Sequence, residues 1–192
     1  MPAFYNDLIT QKGWEILQKL KQQLDFVLIG GWAVWLYTKA LKSKDIDIIV
    51  NYDQLEKLRQ NFNLVKNSRL SKYEARLEEI QIDIYLPFFS KLGLPVEEIV
   101  KNTQILDTFS VPTPETLLNM KLYTYSQRKL SAKGQKDKID VISLLTGCPV
   151  TIAAVTFKPE LREILSQTFQ VPELNLNEHV WSRKKKEILT KL

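Results

Sequence analysis

The chain is poor in the residues that build covalent or soft-metal sites. It has one cysteine, Cys148, in 192 residues, so no disulfide can close within it. That fits a reducing compartment. It has one histidine, His179, and no Cys/His cluster, which removes the usual zinc ligand sets. The longest apolar run, Phe26 to Tyr37, is too short to span a bilayer and is interrupted by a glycine pair. The opening MPAFYNDLIT has no basic stretch followed by an apolar one, so no leader is expected. No repeat and no low-complexity segment is present. A soluble, cytoplasmic protein is the expectation. Hydrophobic residues make up 44% and charged residues 26%, a globular balance that argues against disorder. The net charge of +5 and pI near 9.1 favour polyanionic partners such as nucleotides or nucleic acid. The basic run RKKKE, Arg183 to Glu187, reads as a solvated helix face as readily as an RNA contact.

The periodicities place elements in a definite order. Asn6 to Leu24 is an amphipathic helix with Leu8, Ile9, Ile16, Leu17 and Leu20 as its apolar positions. DFVLIGG is a short buried strand running into a glycine turn, and WAVWLYTKALK has helical length and composition. DIDIIV is a strand by its alternation and β-branching. A helix over Tyr52 to Asn61 follows, with Asn51 or Asp53 as N-cap. NLVKNS and KYEARLEEI suit an antiparallel pair, IQIDIYLP is a strand stopped by Pro87, and TQILDTFSVP is extended. Beyond Pro112 the pattern turns helical: TPETLLNMKLYTYSQRK with Pro114 at its first position, then QKDKIDVISLLTG, KPELREILSQTF and LNEHVWSRKKKEILTKL. The predicted fold class is α+β, a mixed sheet flanked by helices followed by a helical C-terminal region. The predicted domains are a core over 1–111 and a helical region over 112–192.

Two aspartates on alternate residues of an otherwise apolar strand demand an explanation. Residues two apart on a strand share a face about 6.5 Å apart, which puts Asp45 and Asp47 together and Ile46 and Ile48 opposite. QIDIY repeats the scheme around Asp83. If the two strands are neighbours, about 4.8 Å apart, three carboxylates gather on one face. Two like charges about 4 Å apart cost on the order of 4 kcal/mol at an effective dielectric of 20. Lysine or arginine, protonation, or a divalent cation must offset that cost. Hard oxygen donors without a Cys/His set point to Mg²⁺ or Mn²⁺. Upstream, Gly30 and Gly31 precede a helix whose first N–H groups and dipole suit a phosphate.

The pattern IGG, thirteen residues, DIDI, then QIDIY resembles the nucleotidyltransferase superfamily with a polymerase-β-like core. The downstream helices, TPETLLNMKLYTYSQR and KDKIDVISLL, resemble those of the AbiEii-type abortive-infection toxin nucleotidyltransferases and their relatives. The likeness runs over roughly Phe26 to Leu145. It implies an enzyme that moves a nucleoside monophosphate from an NTP to an acceptor, tRNA or protein, in a toxin–antitoxin or phage-defence context. By motif, Gly30 and Gly31 would contact phosphate; Asp45, Asp47 and Asp83 would hold Mg²⁺ or Mn²⁺; and Asp83 would help deprotonate the acceptor. Lys121 would contact phosphates. Trp32 follows the glycines where Gly-Ser relatives have a hydroxyl, so backbone groups carry the phosphate, with Lys42, Ser43 and Lys44 as helpers.

Lys121 also stands out by position: it falls within the apolar stripe of Leu117, Leu118, Leu122 and Tyr125, where a lysine needs an anion. Asp137 and Asp140 sit among the apolar positions of the next helix and could pair with Lys121 or Lys136. The bland alternatives are plain. A lone Asp-x-Asp is ordinarily a solvated strand face, and Lys121 could snorkel. Trp32 and Trp35 read as core residues, and Cys148 as a small apolar one. Two competing functions remain: a non-catalytic nucleotide- or protein-binding module, and an antitoxin-type enzyme acting on a partner toxin.

Overall fold

The computed structural model describes residues 3–171 and 177–190. The chain divides into two compact units, Met1–Thr113 and Pro114–Leu192. The first is built on a seven-stranded mixed sheet, the second, among the described residues, on helices. This is the expected fold class.

In the first unit, helix α1 (Ala3–Gln23) leads to strand β1 (Val27–Ile29). Helix α2 (Gly30–Thr38) follows without a loop. Then come β2 (Ile46–Ile49), α3 (Tyr52–Asn61), β3 (Val65–Asn67), β4 (Lys72–Leu77) and β5 (Ile80–Tyr85). The unit closes with α4 (Val96–Lys101) and the hairpin β6 (Thr103–Leu106) and β7 (Phe109–Pro112). The strand order is β3-β4-β5-β2-β1-β7-β6. β2 runs parallel to β5 and antiparallel to β1. The expected β3–β4 pair is antiparallel.

Alternation fixes which face of the sheet is buried. Ile46, Ile48, Ile80, Ile82 and Ile84 are all fully buried. A slip of one residue would turn that whole set outward, so the register is strongly specified. Trp32 is also fully buried. Its ring lies 5.4 Å from Trp14 and 5.6 Å from Trp35, with Trp14 a further 5.7 Å from Phe109. This aromatic cluster packs α1 and α2 against the sheet.

The structure refines two sequence expectations. The glycine pair is not a turn ahead of a helix but the first turn of α2 itself. The extended segment TQILDTFSVP is a two-residue hairpin, with Asp107 at φ 46° and Thr108 at φ 74°. Both turn residues take the left-handed conformation that such loops require and that Asn-Gly usually supplies. Lys39 Nζ holds Asp107 Oδ2 at 3.1 Å, tying the turn to the end of α2.

The second unit comprises α5 (Pro114–Arg128), α6 (Ala132–Gly147), a single 3-10 turn (Ile152–Ala154), α7 (Lys158–Phe169) and α8 (Glu178–Leu189). Residues 176, 191 and 192 of the segment predicted as the last helix lie outside the described residues. Buried Asn119 pins the turn to α5: its Nδ2 donates to the Ala154 carbonyl at 3.1 Å and its Oδ1 accepts from the Thr156 N–H at 2.6 Å. Trp181 anchors α8 with its ring 5.7 Å from Phe169. Lys185 of the basic run donates to the Cys148 carbonyl, and Lys184 pairs with Glu187 at 3.3 Å. The thiol of Cys148 is buried, and burial pushes its pKa up, which suits an inert residue.

The α5–α6 corner rests on Gly134. Ser131 caps α6 by accepting the Gly134 N–H at 3.0 Å. A Cβ at position 134 would run into the backbone carbonyl of Arg128. Gly→Ala inside a helix ordinarily stabilises by about 1 kcal/mol. Here Gly134→Ala is expected to destabilise the chain by about 1–3 kcal/mol, the range of overpacking. Denaturant titration of the variant beside wild type measures it.

Candidate active site

The sheet brings two of the three acids side by side. Asp47 of β2 and Asp83 of β5 are direct partners in the parallel register, as Ile29 and Asp47 are across the β1–β2 pair. Asp45 stands in the bend just before β2, since the strand begins at Ile46. Asp45 and Asp47 are part-exposed, whereas Asp83 is buried. Tyr85, two residues after Asp83 on the same face, donates to Asp47 Oδ1 at 3.4 Å.

Gly30 forms the wall against which Asp47 rests. It takes φ +67°, a conformation glycine reaches without penalty. A Cβ there would also overlap the Asp47 carboxylate, Oδ2 first. Both constraints fall on one residue, so the glycine is required by backbone and by space. Ile29, the residue before α2, offers no side-chain cap to the first turn. The backbone N–H groups and positive dipole end of α2 therefore lie beside the Asp47 carboxylate, the arrangement that suits a phosphate and its counterion.

Asp83 has a cation of its own. Lys72 of β4 is buried, and its Nζ lies 2.5 Å from Asp83 Oδ2 and 3.0 Å from Glu74 Oε1. The other Asp83 oxygen accepts from Gln81 Nε2 at 2.8 Å. Glu74, which faces Asp83 across the β4–β5 pair, also accepts from Asn67 Nδ2 at 3.0 Å. Burial disfavours the Lys72 ammonium, but hydrogen bonds to Asp83 and Glu74 outweigh it and hold its pKa above the ordinary lysine value. The same Lys72 hydrogen bond, against a smaller effect of burial, draws Glu74 below the usual carboxylate range.

The remaining expected residues are distributed as follows. Gly31 is buried within the first turn of α2. Lys42 and Lys44 are exposed, with the Lys42 ammonium 5.8 Å from the Trp35 ring centre. Ser43 is buried, so its hydroxyl is not presented to solvent. Lys39, which the sequence reading did not single out, lies over Trp35 at 4.3 Å. Lys121 belongs to the second unit. Its Nζ lies 2.7 Å from Asp140 Oδ2 and 3.6 Å from Asp137 Oδ1, and Arg128 Nε donates to Asp137 Oδ2 at 2.7 Å. The pairing of Lys121 with these aspartates is the one its helical position suggested. Lys72, Glu74 and Gln81 were missed; strand alternation puts them on the acid face only once the partner strands are known.

Asp45 and Asp47 are part-exposed oxygen donors of the kind a hard divalent cation takes, and Asp47 lies against the first residue of α2. Magnesium held by one or two carboxylates completes its shell with water and substrate phosphate. Among the described residues no group of three or more ligating side chains gathers. Asp83 is set beside the pair with both oxygens already accepting hydrogen bonds.

A glycine-started helix, an Asp-x-Asp strand and a third acid on its parallel neighbour are the arrangement expected from the resemblance to nucleotidyltransferases. Residues 8–91 match the family described as "Nucleotidyltransferase of unknown function (DUF6036)". Solved structures share the fold over most of the chain. An antigenic nucleotidyltransferase-like protein from Paracoccidioides brasiliensis is 16% identical, with TM-score 0.52, covering 94% of this chain and 93% of its own. JHP933 from Helicobacter pylori is 14% identical, with TM-score 0.52, covering 99% and 93%. ANT(2'')-Ia in complex with adenylyl-2''-tobramycin is 14% identical, with TM-score 0.52, covering 71% and 87%. No curated protein matches the chain. The family match over residues 8–91 and the shared fold both liken the chain to nucleotidyltransferases.

Two substitutions test the geometry. Gly30→Ala forces both a strained φ and an overlap with Asp47, and strain of the first kind alone costs about 1–3 kcal/mol. A lowered unfolding midpoint is expected in thermal denaturation. Lys121→Met leaves two buried carboxylates with one ammonium fewer, which typically costs about 3–5 kcal/mol. That loss is expected in the absence of any nucleotide, read from the denaturant midpoint of the variant beside wild type.

Proposed function

We propose that the chain catalyses metal-dependent transfer of a nucleoside monophosphate from an NTP to a nucleophile on a macromolecular acceptor. The observation that carries this reading is the Asp47 carboxylate seated against Gly30 at the start of α2. The acceptor hydroxyl oxygen attacks the α-phosphorus as its proton passes toward Asp83, a new P–O bond forms, the bond to the β-phosphate's bridging oxygen breaks, and pyrophosphate leaves. Backbone N–H groups of Gly30 and Gly31 face the triphosphate, with the exposed Lys42 and Lys44 adding positive charge at its edge. Asp45 and Asp47 would hold a Mg²⁺ or Mn²⁺ ion, which would supply charge neutralisation at the phosphoryl oxygens. Asp83, paired with Asp47 in the strand register, takes the acceptor side in this reading.

An acceptor of tRNA or protein fits the net charge of +5, because lysine and arginine contacts to phosphate provide sequence-independent affinity for RNA. The toxin–antitoxin or phage-defence setting rests on the likeness of the helical segment to AbiEii-type relatives. In that setting the same chemistry serves either a toxin or an antitoxin-type enzyme modifying a partner toxin. No helix among the described residues is long and apolar enough to cross a membrane. ANT(2'')-Ia is known in complex with adenylyl-2''-tobramycin, so this fold can accommodate an adenylylated acceptor. One observation favours a second reading, a nucleotide- or protein-binding module without turnover: Asp83 is already neutralised by Lys72.

The test is incubation of the chain with Mg²⁺, each labelled NTP in turn, and total tRNA or cell lysate. Label is expected on a macromolecule. Asp45→Asn and Asp47→Asn should each reduce transfer by about 10²-fold or more, since a metal's charge stabilisation is worth several kcal/mol. Equal labelling by wild type and both variants overturns the catalytic reading and leaves the binding module.

A further inference from the structure

The acid face holds a feature that the nucleotidyltransferase reading does not use. Lys72 is 7% exposed, although a lysine is rarely buried unless paired. It is held from two sides, by Asp83 Oδ2 at 2.5 Å and Glu74 Oε1 at 3.0 Å. Each of those acids is itself fixed by an amide, Gln81 on Asp83 and Asn67 on Glu74. The network spans β3, β4 and β5, and strand register sets its spacing. It is therefore a built cluster and not a surface pair of flexible side chains.

The consequence follows from charge. An ammonium in hydrogen-bond contact with a carboxylate occupies the lone pair a divalent ion would take. It also repels that ion at close range in a partly desolvated site. We propose that Lys72 is the resident counter-cation of Asp83, so that divalent-ion binding at this face is confined to Asp45 and Asp47. Asp83 then joins ion ligation only when Lys72 is removed. The site is a single-ion centre whose acceptor side is neutralised by the protein itself. This rests on the nucleotidyltransferase reading for the ion at Asp45 and Asp47, but the Lys72–Asp83 pairing stands without it.

The experiment counts Mn²⁺ on the full chain by electron paramagnetic resonance titration, with no nucleotide present. The proteins are wild type and the variants Asp47→Asn, Asp83→Asn, Lys72→Met and Lys72→Met/Asp83→Asn. Asp47→Asn is expected to weaken Mn²⁺ binding, whereas Asp83→Asn keeps the wild-type stoichiometry and affinity. Lys72→Met gains Mn²⁺ binding over wild type, and the double variant loses that gain. A fall in Mn²⁺ binding in Asp83→Asn comparable to that in Asp47→Asn overturns the proposal. So does a folded Lys72→Met that gains nothing. If Lys72→Met does not fold, the Asp83→Asn comparison decides alone. These counts are independent of labelling: a chain that transfers no nucleotide overturns the catalytic reading, and a chain whose Mn²⁺ depends on Asp83 overturns this one.

Discussion

The parallel pairing of β2 with β5 places Asp47 directly beside Asp83, and the rest of the site is arranged around that adjacency. The pairing is held from the opposite face, where Ile46, Ile48, Ile82 and Ile84 are fully buried. Hydrophobic burial of the isoleucines thus enforces an electrostatically unfavourable neighbourhood on the acids. The cost is met locally. Gly30 lets the dipole end of α2 approach Asp47, and Lys72 is drawn in against Asp83.

The same device appears in the second unit. Lys121 sits within an apolar helix face and meets Asp140 and Asp137, while Arg128 takes the remaining side of Asp137. In both places a buried lysine is shared between two acids, and burial strengthens the interaction while making loss of either partner costly. Such clusters hold elements in one arrangement more firmly than they add net stability. In the second unit the cluster fixes α5 against α6. In the first it ties Asp83 to Lys72 and Glu74 across β4 and β5.

The elements of the site were largely legible in the residues. Period-two alternation located β2 and β5, and the apolar-Gly-Gly sequence located the α2 start. The helical stripe marked Lys121 as a residue needing an anion. Other features were not legible. Ser43 looked available beside Lys42 and Lys44, yet it alone of the residues from Lys39 to Lys44 is buried. The Asp107-Thr108 hairpin carries none of the usual glycine signal and relies on tertiary contacts such as Lys39 to hold two left-handed residues. Lys72, within KYEARLEEI, was not singled out at all.

By itself the sequence determined what is local and periodic: which segments are strands, which face of each carries acid, and where the backbone must be glycine. Those properties depend on residues within a few positions of one another. Tertiary structure alone decided which acid meets which cation. Lys72 and Asp83 are eleven residues apart, and they meet only because β4 turns back on β5 in one particular register. A charge contact across strands is set by that register, and the register is chosen by the buried isoleucine face, not by the charged residues themselves.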